Sequence, residues 1–309
     1  MTSMKLLAGL PERVSVYEVG PRDGLQNEAV TVQTHAKVRL IEALVSAGIQ
    51  RIEAASFVSP KWVPQMADGE EVIGMLPRPE GVRFSGLCPN GRGLERALTC
   101  GVDEAAVFIS ASETHNRRNV NRSIDETMRR FEDVIAPAVQ AGTPVRGYVS
   151  TVWGCPYEGD VPTERALDIA KELLRRGCYE VSLGDTIGVG TPIQTQRILE
   201  AFLAEIPADQ IALHLHDTRG TALTNVIVGL SMGIMTFDAS IGGMGGCPYA
   251  PGAAGNLATE DLVYTLEGMG IHTGIDLTRL WEAGQVAAAV VGRELPGKVH
   301  RAGVRSLAR

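Results

Sequence analysis

The sequence predicts an α/β protein of the (β/α)8 barrel class, on the strength of two observations. Strand-like apolar runs alternate with amphipathic helical runs in a unit of roughly 30 to 40 residues, which is typical of parallel strands joined by helices. Eight such units fit within the 309-residue chain, as a TIM barrel requires. A doubly wound dinucleotide-binding sheet is less favoured, because no G-x-G-x-x-G turn follows the first strand.

The predicted strands are short runs in which apolar residues dominate. The first, residues 14–19, reads VSVYEV and is rich in the β-branched and aromatic residues that favour strands. The strand at 211–217 is apolar except at its end. The eight predicted strands cover residues 14–19, 51–55, 83–88, 105–110, 145–152, 180–184, 211–217 and 236–241.

The predicted helices lie between these strands and show apolar residues at helical spacing. The first covers about 32–47 and ends at Gly48, because glycine readily takes the left-handed conformation that closes a helix. Glycines also end several of the other helices, at positions 101, 142, 177, 233 and 270. The other predicted helices lie near 70–76, 91–100, 123–141, 163–176, 191–204, 221–232 and 259–268.

The domain organisation follows from this count of units. We expect a single catalytic barrel domain over residues 1–309, in which 270–309 form a C-terminal helical extension and tail. Extra helices are expected to pack on the barrel after residue 270, and the segment from Pro296 onward is expected to be mobile.

Composition and charge exclude several classes of protein. Apolar residues make up 44% of the chain, which is enough for a large core, and the net charge of −7 argues against a nucleic-acid partner. The densest basic segment, Asn116–Arg122, is expected to be a solvated loop and helix start. Five cysteines without a C-x-x-C pair, no secretory signal and no apolar run of ~20 residues predict a soluble cytoplasmic protein without membrane contact.

Two histidines at the end of the seventh predicted strand suggest a metal site. His214 and His216 are two residues apart on a strand, so they project to the same face, which in a barrel is the catalytic end. The alternative is a pair of hydrogen-bonded core histidines. Asp23 offers a hard oxygen ligand after the first strand, and Asn256 offers either an amide oxygen or a helix cap. This thiolate-free shell favours Mg²⁺ or Mn²⁺ without excluding Zn²⁺ or Co²⁺.

Further candidates lie near the same predicted edge. Arg22 sits in a tight turn and could face a carbonyl or a carboxylate. Glu53 and Asp185 are carboxylates in apolar strands, and an ion pair with Arg22 is the simplest account of one or both. The loop 242–256 holds six glycines in fifteen residues, so it could close over a ligand. Its Cys247 is either an acid or base, or an ordinary exposed thiol.

Five motifs resemble the 3-hydroxy-3-methylglutaryl-CoA lyase family, and their joint occurrence is specific. The resemblance extends from about residue 14 to residue 285. The motifs are GPRDGLQN at 20–27, ASFVSPKWVPQMAD at 55–68, SLGDTIGVG at 182–190, GGCPYA at 245–250 and GNLATEDLVY at 255–264.

The resemblance implies a metal-dependent TIM-barrel lyase that cleaves 3-hydroxy-3-methylglutaryl-CoA to acetoacetate and acetyl-CoA, a reaction of leucine degradation and ketone-body formation. The positions that match the family's metal ligands are Asp23, His214, His216 and Asn256. The positions that match its catalytic residues are Arg22, Asp23, Glu53, Asp185, His214 and the lid cysteine Cys247. The positions that match substrate contacts are Arg22, Ser56, Asn119, Ser182 and Thr186.

In the implied reaction, the metal holds the substrate hydroxyl and Arg22 stabilises the thioester enolate. The general base is either His214 or Asp23, and Cys247 could help to protonate the product carbon. The chain departs from many relatives at Leu215, which stands where they carry cysteine but should face away from the site. The C-terminal tail has no cysteine, so the thiol regulation of some relatives is not expected. A mitochondrial presequence and a peroxisomal ending are not expected either.

Other functions compete with this one. A lyase of the same mechanism could act on a longer branched 3-hydroxyglutaryl-CoA, or a Claisen-type synthase could join a 2-oxo acid and an acyl-CoA. Synthases of that type usually have larger chains. A non-catalytic barrel is least favoured, because a closed structural metal site needs no glycine-rich lid. The expected partners are an acyl-CoA and a second copy of the chain, in a homodimer or a higher homo-oligomer.

Overall fold

A closed barrel of eight parallel strands forms the centre of the molecule, so the predicted fold class is confirmed. The computed structural model describes residues 9–246 and 255–304. Each strand pairs with the next along the chain, and the last pairs with the first. The strands are β1 (Ser15–Glu18), β2 (Arg51–Ser56), β3 (Arg83–Leu87), β4 (Glu104–Ser110), β5 (Val145–Ser150), β6 (Cys178–Asp185), β7 (Ile211–Leu215) and β8 (Thr236–Ala239).

Helices surround the barrel and cover its outer face. Their inward sides join the apolar residues of the strands in one continuous core. The helices of the barrel repeats are α1 (Thr34–Ser46), α2 (Gly69–Met75), α3 (Gly91–Cys100), α4 (Glu113–Val120), α5 (Ile124–Arg130), α6 (Ile135–Gln140), α7 (Thr163–Arg176), α8 (Pro192–Leu203), α9 (Ala222–Ser231) and α10 (Thr259–Gly268). The C-terminal helices are α11 (Leu277–Val291) and α12 (Lys298–Ala302).

The predicted helix at 123–141 is divided, and a proline accounts for the break. A 3₁₀ turn at Phe131–Asp133 separates α5 from α6. Pro137 lacks the amide that would bond to the carbonyl of Asp133, and its ring crowds that carbonyl. Helix α4 was missed at the sequence level because it carries few apolar residues.

The extension after residue 270 contains the expected helices, but the prediction of a mobile tail is wrong for α12. The amides of Lys298 and Val299 donate to the Asp261 carboxylate at 3.0 and 2.6 Å, which caps α12 against α10. His300 is buried beside this contact. Residues 305–309 of the predicted tail lie outside the described residues.

The interior of the barrel is unusually polar. The Arg146 guanidinium is completely buried and donates to Glu180 at 2.6 Å and to both oxygens of Asp238 at 3.0 and 2.7 Å. The Tyr17 hydroxyl donates to Glu104 at 2.6 Å. Buried charges are tolerated only when they are paired in this way, so the barrel axis carries a charge network toward the catalytic end. In the described part of the chain, no helix is both long and apolar enough to cross a membrane.

Candidate active site

The turn after β1 holds two charged side chains in fixed positions. Residues Gly20–Gly24 form a π-helical turn, in which the amides of Arg22, Asp23 and Gly24 all donate to the Val19 carbonyl, at 3.2, 2.7 and 3.3 Å. Because three backbone hydrogen bonds converge on one carbonyl, the backbone holds Arg22 and Asp23 in fixed positions at the barrel mouth.

Arg22 is a permanent cation on the cavity floor. Its guanidinium lies 2.6 Å from a Glu53 oxygen and 2.8 Å from an Asp23 oxygen. Burial alone would lower the pKa of Arg22, but these two carboxylates outweigh it and raise the pKa. The ion pair predicted for Arg22 is therefore formed by Glu53, and Arg22 also lines the cavity.

Asp23, His214 and His216 converge as three possible metal ligands. One ligand atom from each lies within 4.8 Å of the other two, and the two imidazole rings are 5.4 Å apart between centroids. Burial would raise the pKa of Asp23, but the charges of Arg22 and His214 lower it, so this carboxylate is ionised. Burial and then His214 lower the pKa of His216 to about 4, so its imidazole is neutral at pH 7. A carboxylate and a neutral imidazole are the protonation states that bind metal.

Asn256 joins this group from the far end of the glycine-rich loop. The Asp217 amide donates to the Gly255 carbonyl and the Leu257 amide to the Leu215 carbonyl, so the loop end pairs with the end of β7. The Asn256 amide nitrogen donates to Asp23 at 2.9 Å. Its oxygen is buried and accepts no hydrogen bond from the described residues. A buried amide oxygen that accepts no hydrogen bond from the described residues could serve as a fourth ligand of a metal ion.

Asp238 supports the metal group from behind and was missed at the sequence level. Its carboxylate accepts from His214 Nδ1 at 3.1 Å and from Ser182 Oγ at 2.8 Å, besides Arg146. Burial would lower the pKa of His214, but the hydrogen bond and charge of Asp238 raise it. The bond at Nδ1 leaves Nε2 as the ring atom free for a metal. Asp238, like Glu53, is a carboxylate in an otherwise apolar predicted strand, and this signal could have identified it.

We expect Asp238→Asn to weaken both the fold and the metal site. The Arg146 cation would lose its charged bidentate partner, and breaking a buried pair costs about 3 kcal/mol of unfolding free energy. The His214 ring would lose its orienting carboxylate, so Mn²⁺ affinity should fall about 10- to 100-fold. Urea unfolding and Mn²⁺ titration measure the two effects. Asp103→Asn, in the exposed pair with Arg78 at 3.1 Å, is the control and should cost less than ~1 kcal/mol.

The remaining predicted residues divide into two groups. Ser182, Thr186 and Asn119 line the cavity at the barrel mouth, which has a volume of about 760 Å³. In the described part of the chain, neither Asp185 nor Ser56 lines it. The Asp185 carboxylate accepts the amides of residues 189 and 190 at 3.0 and 2.9 Å, so it holds the loop after β6 in shape. Cys247 lies outside the described residues, and its role stays a prediction.

Tyr148 is a second cavity residue that was missed at the sequence level. Its ring meets His214 edge-on at 6.2 Å, and its centroid is 5.9 Å from the guanidinium carbon of Arg22. The buried hydroxyl has no hydrogen-bond partner among the described residues, so it is available to a ligand. The only signal was its place two residues after Arg146, on the same face of the predicted strand 145–152.

Glu18 ties the Arg22 turn to the loop after β8. Its carboxylate accepts the amides of Gly20 and Ile241, each at 2.8 Å, and the Thr259 hydroxyl at 2.6 Å. Burial raises the pKa of Glu18 to about 7, against hydrogen bonds that lower it. One carboxylate therefore joins three segments that carry site residues.

This pKa makes the folding stability depend on pH. The unfolded chain releases the Glu18 proton near pH 4.5 but the folded chain keeps it to about pH 7, so stability should fall by about 3 kcal/mol as pH rises through this window. In Glu18→Gln that loss should be absent. Urea unfolding at pH 5 and pH 8 checks it, with the exposed Glu95→Gln as control. Equal pH dependence in Glu18→Gln and the unsubstituted protein would contradict the expectation.

Comparison with known proteins identifies relatives over nearly the whole chain. The family model described as HMGL-like matches residues 13–287. The rat protein named 3-hydroxy-3-methylglutaryl-CoA lyase, cytoplasmic, is 50% identical over 300 residues, which cover 97% of this chain and 88% of the rat protein. Rat mitochondrial hydroxymethylglutaryl-CoA lyase is 51% identical over 300 residues, which cover 97% of this chain and 92% of that protein.

A solved structure has the same fold over its full length. It is an HMG-CoA lyase from Acinetobacter baumannii in complex with coenzyme A and 3-methylmalate, with a TM-score of 0.91 and 38% identity. The likeness covers 100% of this chain and 99% of the solved chain. The similarity therefore includes the barrel, the candidate site and the C-terminal helices together.

Proposed function

This chain belongs to the HMGL-like family, and we propose that it is a carbon–carbon lyase that cleaves 3-hydroxy-3-methylglutaryl-CoA to acetoacetate and acetyl-CoA. The observation that carries the proposal is the joint position of Arg22 and the Asp23, His214 and His216 group on one cavity floor. The choice of this acyl group rests on the names of the two rat relatives, which are 50% and 51% identical to this chain.

We propose that the cofactor is Mg²⁺ or Mn²⁺, held by Asp23, His214, His216 and Asn256. The donor set supports this choice, since it combines oxygen and imidazole ligands without thiolate. The buried Asn256 oxygen without a donor supports a fourth ligand. When bound, such an ion polarises the oxygens that it contacts and lowers the pKa of a coordinated hydroxyl.

The protein's own groups have separate roles in the proposed reaction. Cleavage of the bond between C2 and C3 leaves negative charge on the thioester enolate, and the fixed Arg22 cation is suited to stabilise it. Glu53 positions that cation through its 2.6 Å contact. The Tyr148 hydroxyl can donate to a substrate oxygen. The proton of the tertiary hydroxyl is proposed to go to Asp23 or to His214. Because His214 Nδ1 bonds to Asp238, His214 could accept the proton only at Nε2, the same atom that is proposed to bind the metal. Cys247 is proposed to return a proton to the product carbon.

We further propose that this protein is a homodimer or a higher homo-oligomer and that its location is cytoplasmic. The rat relatives are named for two different compartments, so relatives alone do not decide the location. Light scattering measures the oligomeric state directly, and a monomer at micromolar concentration would contradict the proposed oligomer.

The test is a coupled assay for acetoacetate and acetyl-CoA with metal-stripped protein, before and after addition of Mg²⁺ or Mn²⁺. Metal-restored release of both products supports the proposed reaction. If only longer branched 3-hydroxyglutaryl thioesters are cleaved, the proposed acyl group is wrong and the lyase reaction stands. If acetyl-CoA is consumed together with a 2-oxo acid, the protein is a synthase and not a lyase.

A further inference from the structure

A basic depression opens beside the catalytic cavity, between α3 and α5. It has a volume of about 660 Å³ and shares Asn90, Arg122 and Arg130 with the catalytic cavity. The two spaces therefore adjoin at these three residues, which a long ligand could contact from either side. The arginines that line the depression are Arg92, Arg122, Arg129 and Arg130.

In the described part of the chain, these arginines lack the carboxylate partners that neighbouring arginines have. Arg96 pairs with Glu70 at 2.5 Å, and Arg117 pairs with Glu113 at 2.8 Å. Within the described residues, no carboxylate oxygen lies within 4.0 Å of the four arginines of the depression.

The acidic side chains of the depression neutralise this positive charge only in part. The carboxylate of Glu126 accepts the Ser123 amide at 2.7 Å in a capping box, so it serves the first turn of α5. Asp133 is the only other acidic residue in the lining. Four cations against two carboxylates leave an excess of positive charge.

The charges in the depression also act on one another. Burial and then the neighbouring charge of Arg122 lower the pKa of the half-buried Arg130. Two like charges on one wall repel each other, and a bound anion would relieve the repulsion. Gly91 opens α3 at the same rim, where the amides of a first helical turn favour an anion as well.

We propose that this depression binds the phosphate groups at the nucleotide end of the acyl-CoA substrate, with Arg122 and Arg130 as the principal contacts. The inference rests on the proposed function, because it assumes that the acyl end lies at Arg22 and His214. The same cavity is lined by Arg22 and His214 and also by Arg122 and Arg130, so both ends of the substrate could lie along it. Arginine suits phosphate because its planar donors bind two oxygens at once.

The kinetic test compares two substrates that differ only in the nucleotide. For Arg122→Gln and Arg130→Gln, kcat/KM for 3-hydroxy-3-methylglutaryl-CoA should fall about tenfold each, mainly through KM, as expected for a lost charge-assisted phosphate contact. The pantetheine thioester of the same acid should react as with the unsubstituted protein. Arg117→Gln, in the last turn of α4 and paired with Glu113, is the control and should change neither. Equal losses with both substrates, or no loss with the CoA ester, would overturn the proposal.

Calorimetry separates this proposal from the proposed reaction. CoA, 3′-dephospho-CoA and inorganic phosphate are titrated into each variant. Weaker binding of CoA to Arg122→Gln and Arg130→Gln supports the subsite even if no thioester is cleaved. Unchanged CoA binding overturns the subsite even if the lyase reaction is found. Tight binding of free phosphate alone, with CoA excluded, would also overturn it. Circular dichroism confirms that each variant is folded.

Discussion

Arg22→Lys is expected to lower kcat by about 100- to 1000-fold while KM changes little, because the interaction that is lost forms mainly in the transition state. The arginine fork donates to Glu53 and Asp23 at 2.6 and 2.8 Å, and Arg22 also lines the cavity. A lysine ammonium is a single point charge on a flexible stem, so it cannot keep both contacts and also meet the enolate oxygen. Steady-state kinetics with 3-hydroxy-3-methylglutaryl-CoA measure the effect.

A matched variant separates this effect from general loss of structure. Arg96 also forms a two-pronged bond, to the Glu70 carboxylate at 2.5 and 2.8 Å, but it lies outside the cavity. Arg96→Lys should therefore leave kcat unchanged. If Arg22→Lys retained a kcat close to that of the unsubstituted protein, Arg22 would have no part in the chemical step.

His216→Gln is expected to abolish the metal response. The His216 imidazole is buried and neutral at pH 7, since its pKa is lowered to about 4, and a neutral imidazole is the form that ligates. Loss of a second-layer partner alone typically costs 10- to 100-fold in metal affinity, so loss of a ligand should cost more than about 100-fold. The rise in Tm on addition of Mn²⁺ should disappear, and metal-restored activity should disappear with it.

The control for this prediction is the exposed His272, whose ring lies 3.9 Å from Glu267 on the outer surface. His272→Gln should show the full Mn²⁺-dependent rise in Tm. A normal rise in His216→Gln would exclude His216 from the ligand set and would leave Asp23, His214 and Asn256 to hold the ion.

Much of the fold could be predicted because local patterns dominate it. All eight strands lie where mainly apolar runs predict them, since the outward side of each strand packs against the helices and must be apolar. The errors fall where tertiary contacts override local signals. The C-terminal α12 is held in place by the Asp261 carboxylate, which is 37 residues from Lys298. No feature of the tail sequence predicts that contact.

The candidate site shows the same division. The side-by-side arrangement of His214 and His216 needed only the two-residue period of a strand. The partnership of Arg22 with Glu53 was foreseen because a buried carboxylate needs a cation, whereas the second carboxylate, Asp185, bonds to backbone amides instead. Both solutions satisfy a buried charge, and the bare sequence does not distinguish them.

By itself, the sequence determined the order of strands and helices, the catalytic end of the barrel and most of the candidate ligands, because backbone periodicity and the cost of buried charge act locally. Only the tertiary structure decided that Asp238 orients His214, that the Asn256 oxygen accepts no hydrogen bond from the described residues and that Arg122 and Arg130 share one depression. Those relations join residues that lie far apart along the chain or meet at the barrel mouth, and they exist only once the barrel has closed.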